Sequence, residues 1–220
     1  MNARRIVLGL EAGMSARELE ATAQLAQRVD AELLGLFVED ADLLRFAELP
    51  FALEIGHASA QRRRPDAAAL QREMRALAAE AERALAGIAA RVPVRWSFRV
   101  TRGYAATELL AAAAEAVGAD LRLLLLGDGD SPVTRWAEAA CARLAGTSAA
   151  PRLELVRAAD VDELAAALQA AAPGVVVLRA EASLLSQRGL PDLLQRSAAS
   201  VLVLPTRPAV PRPRAASARH

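Results

Sequence analysis

Short apolar segments of four to seven residues alternate along the chain with longer Ala- and Leu-rich segments of helical periodicity. Since two parallel strands need a long crossover connection, repeated strand–helix units predict a largely parallel sheet. We therefore predict an α/β fold that is doubly wound and Rossmann-like, with a mostly parallel sheet and helices on both faces. The seven predicted strands are Arg5–Leu10, Leu33–Val38, Val94–Val100, Leu121–Leu126, Arg152–Val156, Gly174–Leu178 and Val201–Leu204.

Helix boundaries are marked by side chains that cap or terminate a helix. Ser15 followed by Glu18 has the spacing of a capping box, so the first helix is predicted to begin there. A short helix is predicted within Glu39–Phe51, ended by Pro50. The longest helical pattern covers Asp66–Arg91, with one apolar face that is suited to cover a sheet.

The composition is that of a globular protein, with 54% apolar and 24% charged residues and a formal net charge of +1. A nearly neutral chain has no global field that attracts nucleic acid or an anionic membrane. Cys141 is the single cysteine, and no apolar stretch is long enough to span a bilayer. We expect a cytoplasmic protein without a membrane partner. All 27 basic residues are arginine, which favours a GC-rich bacterial source.

The pattern divides into two halves and a tail. The turn after Leu126, Gly127-Asp128-Gly129-Asp130-Ser131, repeats the order of strand, acidic glycine turn, Ser cap and helix that begins at Ile6. We predict a first half over residues 1–120 and a second, shortened βα half over 121–205 that continues the same sheet. The Pro- and Arg-rich residues 206–220 are predicted to be disordered.

Three segments resemble the universal stress protein family. They are Arg5–Glu11 as the first strand and turn, Ala31–Val38 as the second strand, and Gly118–Gly127 as the fourth strand with the residues before it. The resemblance covers most of residues 4–127 and, more loosely, 121–205. It implies a five-stranded parallel α/β sheet and an adenine nucleotide, ATP or AMP, as the ligand.

The chain departs from the nucleotide-binding members of that family. They carry an Asp at the end of the first strand, where this chain has Glu11. Their phosphate cradle follows the fourth strand. Its pattern is G-x-x-G, then nine residues of any type, then G-S or G-T. Gly127 matches the first glycine of this pattern. Asp130 stands where the second glycine would be, and Ala140 and Cys141 stand in place of the final G-S or G-T pair. Asp130 would place a negative charge beside a phosphate, so nucleotide binding in the usual mode is not expected.

A second register treats the chain as a shortened tandem whose second domain begins with Leu121–Leu126. The turn Gly127–Ser131 then resembles the family's D-G-S turn, and Asp128 or Asp130 matches the adenine-contacting Asp better than Glu11. Both registers stay open.

Ligands of open parallel sheets bind outside the carboxyl ends of strands, which selects four turns: Glu11–Ser15, Val38–Asp42, Thr101–Tyr104 and Gly127–Ser131. In the last, Ser131 as N-cap and Pro132 at the first helical position would leave N–H groups for an anion. Ordinary turn chemistry is the alternative for each. The predicted ligand-contacting residues are Glu11, Val38, Arg102, Gly103, Gly127, Asp128, Gly129, Asp130 and Ser131.

No group of residues requires an enzyme or a metal. The two histidines, His57 and His220, have no Cys or His at metal-binding spacing. The arginines at 62–64 and in the tail lack interleaved aromatics, so sequence-specific nucleic-acid binding is not predicted.

We predict a cytoplasmic, universal-stress-protein-like binding and regulatory module of the stress response, homodimeric, that binds an adenine nucleotide weakly or not at all. One alternative is a Mg-dependent adenine-nucleotide hydrolase that uses Gly127–Ser131. The other is a pure dimerisation module that pairs through an edge strand such as Val201–Leu204.

Overall fold

The structure, a computed structural model, describes residues 4–11, 13–49, 53–55, 62–63, 66–115, 121–126, 131–145, 153–170 and 174–206. The strands are β1 (Arg5–Leu10), β2 (Glu32–Asp40), β3 (Glu54–Ile55), β4 (Arg62–Arg63), β5 (Trp96–Gly103), β6 (Leu121–Leu126), β7 (Leu153–Ala158), β8 (Val175–Arg179) and β9 (Ser200–Leu204). The helices are α1 (Ala16–Arg28), α2 (Ala41–Glu48), α3 (Ala67–Ala89), α4 (Ala105–Ala114), α5 (Pro132–Ala145), α6 (Val161–Gln169), α7 (Ala182–Leu185) and α8 (Leu190–Arg196).

Seven strands form one sheet in the order β5-β2-β1-β9-β8-β6-β7, and every neighbouring pair is parallel. These are the seven strands that the apolar runs predict, and the doubly wound α/β class is confirmed. β2 and β5 are longer than predicted. Polar residues near their carboxyl ends continue the ladder, with Glu39 opposite Arg102. A separate antiparallel pair, β3 with β4, lies between α2 and α3 in the chain.

The helices cover the two faces of the sheet unequally. α1, α3, α6, α7 and α8 pack on one face, here called the α1 face, around Ile6, Leu8 and Val203. α4 and α5 pack on the opposite α4 face, around Val7 and Leu202. Parallel connections are right-handed, so helices change face where the chain changes its direction across the sheet. α1 leads away from β1 toward β2, whereas α5 leads from β6 in the opposite direction toward β7.

α3 is the longest helix described, with 23 residues, and it begins directly after Asp66, as predicted. The Asp66 carboxylate caps the helix by accepting the N–H groups of Ala68 and Ala69. Leu85 and Ile88 are buried against the sheet. In the part of the chain that the structure describes, no helix is both long and apolar enough to cross a bilayer.

One sequence-based expectation about strand position is wrong. Val201–Leu204 is not an edge strand available for dimerisation, because β9 lies between β1 and β8 and is buried. The strand at Leu121–Leu126 is separated from β1 by β9 and β8. Apolar runs predict which segments are strands, whereas the order of the strands depends on how the crossover helices pack.

Candidate functional site

A cleft of about 360 Å³ opens at the carboxyl ends of β1, β9 and β8, beside the first turn of α1. Six of its lining residues carry polar side chains: Glu11, Ser15, Arg17, Glu18, Glu181 and Thr206. The position fits the rule that open parallel sheets bind ligands beyond the carboxyl ends of their strands. Glu11, a predicted ligand-contacting residue, is in this lining.

The N-terminus of α1 is occupied by a carboxylate of the same chain. Ser15 donates its backbone N–H and its hydroxyl to Glu18 Oε2 at 2.8 Å and 2.7 Å, and Glu18 N–H donates to Ser15 Oγ at 3.3 Å. The predicted capping box is therefore present. Glu18 Oε1 also accepts the backbone N–H of Thr206 at 2.8 Å. An anion that uses these three donors would have to displace Glu18 from them.

The hydrogen bonds make Glu18 an unusually strong acid. Partial burial by itself raises the pKa of Glu18, but hydrogen bonds from Thr206 and Ser15 outweigh it and lower the pKa to about 2. Glu18 is therefore ionised throughout the physiological range. Among the described residues, the cleft lining also contains Glu11, Arg17 and Glu181.

Arg179 and Glu181 form an ion pair at the end of β8. Ser183 donates its hydroxyl to the same carboxylate at 2.5 Å. The Arg179 Nε is buried, and among the described residues it has no hydrogen-bond acceptor. Arg179 is the last residue of β8, the strand that pairs with β6.

The predicted residues at the ends of β2 and β5 have partners within the protein. Arg102 donates from Nε and Nη2 to Glu39 Oε2 at 3.0 Å and 2.8 Å, and Glu39 is 7% exposed. Gly103 lies against the Glu108 side chain, so close that an added Cβ would come within 2.5 Å of it. Val38 packs against the core of the α4 face. These residues tie two neighbouring strand ends together.

The turn after β6 is only partly described. Gly127, Asp128, Gly129 and Asp130 lie outside the described residues. Ser131 starts α5 as predicted, since its Oγ accepts the Thr134 N–H at 3.1 Å. β6 and β1 are three strand spacings apart, about 14 Å. The structure therefore does not bring Ser131 and Glu11 to one site.

The described residues hold no group of three or more His, Cys, Asp or Glu side chains that would bind a metal ion. Asp40 caps α2 instead, by accepting the N–H groups of Asp42 and Leu43. Burial, with a smaller contribution from the Glu138 charge, raises the pKa of the Cys141 thiol. A protonated thiol is a weak nucleophile, so Cys141 has the character of a core residue.

Sequence reasoning missed the roles of three residues near the cleft. The S-x-x-E spacing identifies Glu18 as a cap but gives no sign that Thr206 shares its carboxylate. Arg179 and Glu181 belong to no motif recognised in the sequence. The available signal was a pair of charged residues at the carboxyl end of a buried strand, because such positions border the carboxyl edge of the sheet.

No protein-family model matches the chain, and no curated protein matches it. The function is therefore inferred from the site itself.

Proposed function

We propose that this protein is a universal-stress-protein-like binding and regulatory module of the cytoplasm that acts in a stress response without catalysis. In this proposal the cleft at the end of β1 binds adenine nucleotides weakly or not at all. The observation that carries the weak or absent nucleotide binding is the Glu18 carboxylate, which already occupies the Ser15 and Thr206 donors beside the cleft.

Charge supports the same conclusion. A nucleotide phosphate is stabilised at a helix N-terminus by free N–H groups and by positive charge. Here the pKa of Glu18, lowered to about 2, keeps a negative charge at that position.

Thermal unfolding of the full chain with ATP, ADP and AMP, each with and without Mg²⁺, tests the proposal. A ligand present at about 100 times its dissociation constant, and bound only by the folded state, adds about 2.7 kcal/mol of stability. We expect no rise in Tm with any nucleotide. A reproducible rise for the wild-type chain contradicts the proposal.

The role of Glu18 is tested by Glu18→Ala, with Glu20→Ala on the same helix as the matched control. If Glu18 excludes phosphate, inorganic phosphate raises the Tm of Glu18→Ala but not that of Glu20→Ala or the wild type. An equal response of all three proteins contradicts this role. Survival of the host strain without the gene, under starvation and oxidants, tests the stress-response part, and unchanged survival contradicts it.

A second candidate function is Mg-dependent hydrolysis of an adenine nucleotide between the ends of β6 and β8. It is favoured by the topology, because α5 leaves β6 on the α4 face while α7 leaves the adjacent β8 on the α1 face. Such a change of face marks the crevice where open α/β sheets bind ligands. Arg179 at the end of β8 is a cation suited to a phosphate there.

Phosphate release from ATP in the presence of Mg²⁺ distinguishes this candidate from the first. Under the hydrolase hypothesis, Asp128→Ala abolishes turnover while Asp192→Ala, on α8, leaves it unchanged. Absence of phosphate release by the wild-type protein eliminates the hydrolase.

A further inference from the structure

β5 is an edge strand of eight residues, and in the described part of the chain it pairs only with β2. Leu33 N–H donates to the Arg95 carbonyl at 2.8 Å, which fixes the hydrogen-bonding pattern of this ladder. In a parallel ladder the residues of one strand point their backbone groups alternately to either side. Trp96, Phe98, Val100 and Arg102 therefore direct their N–H and C=O groups away from β2.

The side chains of these four residues all lie on the α1 face, since they are separated by steps of two. Trp96 is 37% exposed and Val100 is 44% exposed, which places both among the exposed large hydrophobic residues of the described chain. Long edge strands with exposed apolar side chains are templates for pairing with another strand.

The charges near this edge are neutralised within the chain. Arg99 donates to Glu115 at 2.8 Å, and Arg102 donates to Glu39. Arg95 lies 3.6 Å from the Asp30 carboxylate. Because each of these arginines has an acidic neighbour, the edge does not carry the uncompensated charge that would keep a second strand away.

We propose that β5 pairs antiparallel with β5 of a second copy of this chain, with Phe98 opposite Phe98 of the second copy. This arrangement sets Trp96 opposite Val100 and Ser97 opposite Arg99. The α1 face then gains one continuous apolar row of aromatic and β-branched pairs, which are favourable cross-strand partners. The contact is isologous, as a two-fold dimer requires.

The symmetric registers next to Phe98 on either side are worse. Moving the centre to Arg99 places two guanidinium groups opposite each other and sets Trp96 opposite Arg102. Moving it to Ser97 sets Arg95, directly before the strand, opposite Arg99. Like charges directly opposite each other are destabilising, so the side chains favour the register centred on Phe98 over both neighbours.

The other edge of the sheet does not offer the same surface. In β7 the exposed side chains include Glu154 and Arg157, and its described residues show no exposed large hydrophobic side chain. Self-association is therefore assigned to β5. The assignment goes beyond the proposed function and does not depend on nucleotide binding.

The oligomeric state of the full chain tests the assignment. We expect a dimer for the wild type in sedimentation equilibrium, and a monomer for Val100→Glu, which places a charge opposite Trp96 of the second copy. Phe46→Glu is the matched control, because Phe46 is equally exposed, at 44%, but lies on α2. The control should stay dimeric. A wild-type monomer at every concentration, or a dimeric Val100→Glu, overturns the proposal.

Disulfide trapping tests the register, in a Cys141→Ser background. Facing Cα atoms of an antiparallel pair are about 5.5 Å apart, within the span of a disulfide. Oxidised Phe98→Cys should cross-link to itself, and Val100→Cys should not. An equimolar mixture of Trp96→Cys and Val100→Cys, both at exposed positions, should form the mixed disulfide. Self-linked Val100→Cys, or no mixed disulfide between folded proteins, contradicts the register.

Discussion

The Glu18 carboxylate accepts the backbone N–H of Thr206 at 2.8 Å, although the two residues are 188 positions apart. Glu18 also accepts both donors of Ser15. One side chain therefore caps the first helix and holds the chain where it leaves the last strand. The same carboxylate occupies the Ser15 and Thr206 donors that border the cleft.

Glu18→Gln should lower the free energy of unfolding by about 1 kcal/mol, because hydrogen bonds to a charged acceptor contribute more than hydrogen bonds to a neutral amide. Gln keeps the size of the side chain but removes the charge that Ser15 and Thr206 bind. Chemical denaturation at neutral pH measures the loss. Glu20→Gln, two residues further along α1, is the control and should change stability by less than about 0.5 kcal/mol. Equal losses for both variants would show that the shared carboxylate has no special role.

The contribution of Glu18 should depend on pH in a defined window. Its pKa is lowered from 4.5 to about 2 in the folded chain, so its stabilisation is complete above the unfolded value. As the pH falls from about 4.5 toward 2, the folded state loses this advantage because the unfolded state takes up the proton first. The stability difference between wild type and Glu18→Gln should shrink over this window. A difference that is constant from pH 7 to pH 2 would contradict the lowered pKa.

Two glycines should respond to alanine with opposite signs. At Gly35 in β2 an added Cβ would lie 2.6 Å from Leu85 and 2.8 Å from Leu10, both buried. Overpacking there should cost about 1 to 3 kcal/mol. At Gly87 in α3 nothing lies within 4 Å of an added Cβ, so Gly87→Ala should stabilise by up to about 1 kcal/mol through helix propensity. Urea denaturation of both variants decides; a stable Gly35→Ala would mean that α3 is not held this close to β2.

Trp136 should tolerate phenylalanine far better than alanine. Its side chain is fully buried, and its indole N–H has no acceptor among the described residues. Removing an unsatisfied donor recovers a desolvation cost of about 1–3 kcal/mol, which offsets the weaker packing of the smaller ring. Trp136→Phe should therefore change stability by less than about 1 kcal/mol, whereas Trp136→Ala should cost about 3–5 kcal/mol. Thermal unfolding compares the two; a large loss in Trp136→Phe would indicate a hydrogen-bonded indole.

The sequence alone determined which segments are strands and where several helices begin. Each strand of the main sheet contains a short apolar run, and a buried parallel strand needs such a run to lie between two helical layers. Ser15, Asp66 and Ser131 were recognisable as helix starts because a cap acts on N–H groups two or three residues away. Apolar runs and helix caps depend on residues that are close together in the chain, so both can be recognised in the sequence.

Only the tertiary structure decided which strands are neighbours and which site residues meet. Nothing in the residues of Val201–Leu204 distinguishes a central strand from an edge strand, yet β9 inserts between β1 and β8. That insertion brings Thr206 to Glu18 and separates Ser131 from Glu11. The strand order also places β5 at one end of the described sheet. The Ala- and Leu-rich helices would cover either face of many strand orders, so the order is fixed by packing between distant segments rather than by any local pattern.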